Sequence, residues 1–136
     1  MTRIMICGSR TINSNQLVDY LINAAFIALG ISQQEQHIII HGAARGVDLL
    51  AADYAKQHRY SIEAYPADWE ALGKGAGYVR NKTMVDCCDC AVALHDGISK
   101  GTQHSINLLA ASGKPHAVVV YNAVNNSYVL HVKNNA

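Results

Sequence analysis

Three stretches of this chain set glycine, hydroxyl and arginine side chains directly after apolar runs: CGSR from Cys7, HGAARGVD from His41, and HDGISKGT from His95. Glycine loops that open into helices leave backbone N–H groups free at the positive end of the helix dipole, which suits phosphate or another anion. On this reading the N–H groups of Ala43, Ala44, Arg45 and Gly46, and of Lys100, Gly101 and Thr102, cradle phosphate, while Ser9 and Thr102 add hydroxyls. Arg10 and Arg45 agree with it, because a cation at a helix N-terminus opposes the dipole unless an anion lies beside it. They also fit as solvated surface cations. Gly8, Gly42, Gly46, Gly97 and Gly101 fit equally the plainer role of tight strand-to-helix turns. Asp48, two residues past Gly46, either caps the following helix or accepts ribose hydroxyls.

Arg80 shares a helical face with Met84 and Cys88, the face that should turn toward a sheet. A charge there needs a partner: a salt bridge to Asp68 or Asp86, or a ligand phosphate with Asn81 adjacent. Trp69, the only tryptophan, is either core filler or a stacking surface for a base. Of the four cysteines, Cys87, Cys88 and Cys90 are too close together to bridge one another and lack a second C-x-x-C, so buried thiols explain them better than zinc. His41 and His95 end apolar runs, near the loops in question, where a His and carboxylate could pair for acid/base work.

The elements that must position these groups alternate in type. RIMIC (3–7) reads as a strand; Leu17, Leu21, Ala24, Ala25 and Ala28 then follow a helical period, with Asn13 or Ser14 as cap and Gly30 as stop. HIIIH (37–41) is the second strand, followed by a helix on Val47, Leu50, Ala51, Tyr54 and Ala55. SIEAY (61–65) is a weaker strand. A glycine-rich loop leads to a helix with Arg80, Met84, Cys87 and Cys88 inward. CAVAL (90–94), a helix on Ile106, Leu109 and Ala110, and HAVVVY (116–121) complete the series, and SYVLHV could add an antiparallel strand. This order predicts an α/β fold, a three-layer sandwich around a mostly parallel sheet of about five strands plus a possible C-terminal antiparallel strand, as one domain over 1–136. In such sheets ligands sit beyond the carboxyl ends of the strands, where the three glycine loops would converge.

Eleven Lys and Arg against ten Asp and Glu give a net charge of +1, which draws no nucleic acid or anionic membrane by bulk electrostatics. No stretch approaches the ~18 apolar residues of a membrane span, and a soluble cytoplasmic chain is expected.

Together MICGSR, IIHGAARGVDLLAADYA, AYPADWEALGKGAGYVRNKTMV and DGISKGTQHSINLLAASGKP resemble the SLOG superfamily, the Rossmann-like SMF/DprA-LOG group, in its small stand-alone YspA-related type, over about residues 3–121. The resemblance implies a Rossmann-like domain that binds a nucleotide or an ADP-ribose or NAD-derived signalling nucleotide, with phosphate or ribose on Gly42 to Asp48 and on Gly101 and Thr102. No cofactor and no metal are expected. The superfamily holds sensors of NAD-derived signals and also nucleotide N-glycosidases and phosphoribohydrolases. Those enzymes place a glutamate on the helix after the Gly-Thr pair, whereas Gln103, His104 and Ser105 follow here and no carboxylate stands between Gly101 and Gly113. Glycosidic cleavage needs a carboxylate, so binding, as sensor or sponge, leads, with cleavage through Asp48, Asp68 or Asp96 as the alternative. A DNA-binding role by analogy with DprA lacks a basic stripe.

The apolar residues Leu17, Val18, Leu21, Ile22, Ala25, Phe26 and Leu29 occupy more than the stripe that packing on a sheet requires. That surplus, with the pairing common among SLOG-like domains, leads us to expect a homodimer or a dimer of dimers.

Overall fold

A computed structural model of the chain describes residues 1–134. The elements are β1 (Thr2–Gly8), α1 (Asn15–Leu29), β2 (His37–His41), α2 (Val47–Gln57), β3 (Ser61–Ala64), α3 (Trp69–Leu72), a 3-10 turn (Gly73–Gly75), α4 (Ala76–Cys87), β4 (Cys90–His95), α5 (Lys100–Ser112), β5 (His116–Asn122) and β6 (Ser127–Lys133). All six strands form one sheet in the order β3-β2-β1-β4-β5-β6; the first five run parallel and β6 pairs antiparallel with β5.

The central strands are apolar without alternation because both of their faces are covered. In β1, Ile4 and Ile6 pack with α1 and α2, while Met5 and Cys7 point the other way toward Met84 and Val85 of α4 and Leu109 of α5. In β4, Cys90, Val92 and Leu94 join the first cluster, and Ala91 and Ala93 the second. Helix α1 starts on Ser14, whose hydroxyl accepts the Leu17 N–H, and stops at Gly30, which takes the left-handed φ of 73° that a side chain would resist.

The apolar surplus of α1 has a different outcome from the one expected. Val18, Leu21, Ile22, Ala25 and Phe26 are fully buried, and Leu17 and Leu29 pack against the same cluster. The fold itself covers the helix, because β6 adds Leu130 to that cluster and sets Tyr128 edge-on to Tyr20 of α1 at 6.0 Å. The C-terminal strand thus takes over part of the cover assigned to a second subunit. In α4, Met84 and Cys88 face inward as expected, whereas Cys87 is half-buried and Val85 takes the buried position.

The crevice end of the sheet depends on a close approach at Gly8. A Cβ there would lie 2.6 Å from the Leu94 carbonyl oxygen and 2.6 Å from Val47 Cγ2, so the start of α2 presses on bare backbone. Overpacking of this kind costs about 1–3 kcal/mol. Gly8→Ala is therefore expected to lower the urea midpoint by the equivalent of about 2 kcal/mol with an unchanged m-value; an unaltered midpoint would mean that Val47 can step aside.

Candidate functional site

Between β1 and β4 the strand order reverses, and a crevice of about 410 Å³ opens there at the carboxyl ends of the strands. Gly8, Arg10 and Thr11 form one wall, Ala44 and Asp48 a second, Arg80, Asn81 and Met84 of α4 a third, and Asp96, Ile98, Ser99, Gly101, Thr102 and Ser105 the floor.

Asp48 is the most constrained of these residues. It is 5% exposed, and its Oδ2 accepts the N–H of Gly42 at 3.1 Å and of Ala44 at 3.3 Å. Between them the Ala43 N–H donates to His41 Nδ1 at 3.0 Å, which requires that nitrogen to be unprotonated; burial lowers the His41 pKa in keeping with that. Asp48 thus does not cap α2, whose N-cap is Gly46; through Oδ2 it holds its own loop. Consequently the N–H groups of Gly42, Ala43 and Ala44 already have acceptors inside the protein. Burial pushes the Asp48 carboxyl up to about 6, although the Ala44 N–H, the Arg80 charge and the Gly42 N–H all favour its ionised form.

Arg80 makes neither of the expected salt bridges. Its Nη1 donates to the Gly42 carbonyl and its Nε to Asn81 Oδ1 at 2.9 Å, while Asp86 pairs with Lys82. Asn81 in turn reaches His104 Nδ1 at 3.3 Å, which ties the arginine to α5. A Cβ at position 42 would lie 2.6 Å from Arg80 Nη1 and 2.8 Å from Asp48 Oδ2, so Gly42 lets both side chains close on the loop.

The β4 loop follows the same logic. His95 Nδ1 accepts the Gly97 N–H at 3.1 Å. Asp96 Oδ1 accepts the N–H groups of Ile98 and Ser99, both at 2.9 Å, and Oδ2 accepts the Thr11 hydroxyl at 2.8 Å. Burial would raise the Asp96 pKa, but the donors from Ile98, Thr11 and Ser99 outweigh it and bring the carboxyl to about 2. Ser9 is 1% exposed and accepts the Asp96 N–H at 3.0 Å, so it braces this loop from behind. Ser99 caps α5 by accepting the Thr102 N–H, and helix geometry leaves the N–H groups of Lys100 and Gly101 without an intrahelical acceptor.

Of the residues singled out in the sequence, Gly8, Arg10, Ala44, Asp48, Arg80, Asn81, Gly101 and Thr102 line the crevice, and Ser9 and Gly42 are buried beside its loops. Ala43, Arg45 and Lys100 are exposed and, with half-buried Gly46, do not line it. Asp68 caps the short α3 by accepting the Ala71 N–H at 3.1 Å, and Trp69 is 55% exposed; both lie outside the crevice. Thr11, Ser99 and Ser105 join the lining unannounced. For Ser99 the signal was Asp96 followed by glycine, an Asx-turn pattern; Thr11 and Ser105 had none. The thiols behind the sheet are free, and burial pushes Cys88 up to about 11 and Cys90 up to about 12.

The family described as "YspA, cpYpsA-related SLOG family" matches residues 2–71. The Gene 61 protein of Mycobacterium phage D29 is 33% identical over 126 residues, which cover 85% of this chain and 94% of that protein. A solved structure of DNA processing protein A from Helicobacter pylori, described for its single-stranded DNA binding mode, superimposes with a TM-score of 0.58 over 85% of this chain at 21% identity; the match spans 63% of that chain. That likeness shows the fold alone. Among the described residues no helix is long and apolar enough to cross a membrane.

The raised carboxyl of Asp48 has a signed consequence for stability. Between pH about 4, the ordinary aspartate value, and about 6, the folded protein holds a proton that the unfolded chain has released. Its contribution therefore falls as pH rises through that window, by up to about 1.4 kcal/mol per pH unit. Urea unfolding of native protein and Asp48→Asn across that range should show native stability declining relative to the variant as pH rises. Parallel pH profiles would place the Asp48 pKa near the ordinary value.

Proposed function

The chain belongs to the YspA, cpYpsA-related SLOG family, and on that premise we propose that its crevice holds the phosphate and ribose of a nucleotide, or of an ADP-ribose or NAD-derived signalling nucleotide, without cleaving it. The observation that carries this reading is one cavity lined by Arg10, Arg80 and the first turn of α5, whose two carboxylates are already engaged by loop donors. Arg10 is left to meet a ligand, while both carboxylates accept hydrogen bonds from the loops that carry them. The doubly covered parallel sheet supports the Rossmann-like, three-layer description, in which a ligand sits at this switch point.

Phosphate is assigned to Arg10 and to the N–H group of Gly101, with the Thr102 hydroxyl beside them. Arg80 supplies charge from behind the Gly42 loop. Base release needs a carboxylate free to attack or to activate water. Asp48 holds its loop, Asp96 has both oxygens occupied, and Asp68 caps a helix outside the crevice. That distribution favours a sensor or a sequestering sponge over a hydrolase.

Arg10 is exposed, so it separates ligand binding from folding. Arg10→Ala is expected to weaken ribose 5-phosphate and ADP-ribose by about 1.5–3 kcal/mol, a charge-assisted hydrogen bond, with the melting temperature of the ligand-free protein unchanged. Calorimetry measures the first and a thermal melt the second. Mass spectrometry after prolonged incubation should recover ADP-ribose intact; repeated turnover with release of free adenine would replace this reading by the hydrolase.

The homo-oligomer is likewise a proposal, now resting on β6 in place of α1. This seven-residue strand ends the sheet, pairs with β5 without a bulge, and exposes Val129 and Val132. A long unprotected edge of this kind invites strand pairing. Light scattering should give at least twice the chain mass, and Val129→Lys, which puts a charge on the edge strand, should return it to one.

A further inference from the structure

Beside the crevice, and sharing Thr11 and Asp96 with it, lies a second cavity of about 450 Å³ at the carboxyl end of β5. The two differ in chemistry. The first carries the arginines and the α5 terminus; the second is walled by Ile12, Val120, Tyr121, Ala123 and Val124, with the Asn122 side chain beside them. Among the described residues no arginine or lysine lines the second cavity, so phosphate belongs on the arginine side. The hydrogen bond from Thr11 to Asp96 forms the sill between the two compartments. A ligand that spans the sill must be anionic at one end and uncharged, with apolar faces, at the other.

We propose that the second cavity takes the nucleobase of the nucleotide whose phosphate and ribose the first one holds, with the base lying against Tyr121. The inference rests on the reading of the crevice given above. Tyr121 is held fast: it packs on the main apolar cluster, and its hydroxyl donates to Asn126 Oδ1 at 2.7 Å. A fixed aromatic ring is a platform on which any base can stack. Selection among bases then falls to groups that reach the base edge. Asn122 spends its Oδ1 on the Val124 N–H at 2.9 Å, so the group it offers is the Nδ2 donor, suited to an acceptor on the base.

The test compares ribose 5-phosphate with AMP, GMP, CMP and UMP by calorimetry. At least one nucleotide should bind about tenfold more tightly than ribose 5-phosphate, within what stacking on an aromatic ring contributes. Tyr121→Leu should erase that advantage while leaving ribose 5-phosphate within about twofold of its native affinity, because ligands without a base do not use the ring. Ala123→Glu, a plug at an exposed turn position that leaves the fold intact, should do the same. Equal binding of ribose 5-phosphate and all four nucleotides would overturn the base cavity and leave the phosphate reading standing; so would an equal loss of both kinds of ligand in the Glu variant. Binding of none of the five would overturn both.

Discussion

A carboxylate taken out of water must be given donors from close by, and for Asp48 these are the N–H groups of the loop that leads into its own helix. To bring Gly42 and Ala44 onto one oxygen, the backbone has to curl, and Ala43 accepts a left-handed φ of 59° to allow it. That conformation costs an L-residue roughly 1–2 kcal/mol, and it persists because Asp48 and His41 hold the peptides on either side. The curl carries further. Gly46, at φ 79°, lies so near the β1 loop that a Cβ there would be 2.8 Å from Arg10 Cα and 2.8 Å from the Ser9 carbonyl oxygen. One buried charge thus shapes its own loop and seats that loop against the one bearing Arg10.

The β4 loop solves the same problem with the same parts. A histidine ends each strand, its Nδ1 accepts the N–H two residues on, and an aspartate collects further N–H groups. The outcome for the two carboxylates differs because their burial differs. Asp48 is nearly sealed and is pushed up to about 6; Asp96 keeps some solvent and gains the Thr11 hydroxyl, which leaves it at about 2. Asp48 Oδ2 and Asp96 Oδ1 are spent on backbone N–H groups and Asp96 Oδ2 on the Thr11 hydroxyl, so both aspartates in the crevice wall serve to hold its loops.

Much of this was legible in the sequence, for a physical reason. β1, β2, β4 and β5 are buried on both faces, and burial of that kind writes itself as unbroken Ile, Val and Ala runs; the glycine that follows marks the helix entry. The apolar breadth of α1 was legible too, but its meaning was not, since a stripe wider than one sheet contact can be covered by a second copy or by a strand from the same chain. Within the site, helical period turned Arg80 inward correctly yet could not supply its partner, a carbonyl 38 positions away in the chain. The partners of Asp48 were not legible, because its bonds run backward to Gly42 and Ala44, a geometry that exists only once Ala43 has turned left-handed. Asp68 drew notice as a partner for Arg80 and Trp69 as the only tryptophan; Asp68 caps α3, which Trp69 opens, and neither lines the crevice.

The charge arrangement also decides what sort of anion site the proposed one would be. With a net charge of +1 the protein has little long-range field, and at physiological salt the Debye length of about 8 Å screens what there is. A phosphate ligand would therefore not be steered in from a distance, and encounter should run at the rate of a neutral pair. Whatever affinity the crevice has must come from groups at contact range: Arg10, the open turn of α5, and the arginine anchored behind Gly42. Such contacts act on the rate of escape far more than on the rate of arrival. A long residence time is the kinetic character that the proposed sequestration or sensing requires.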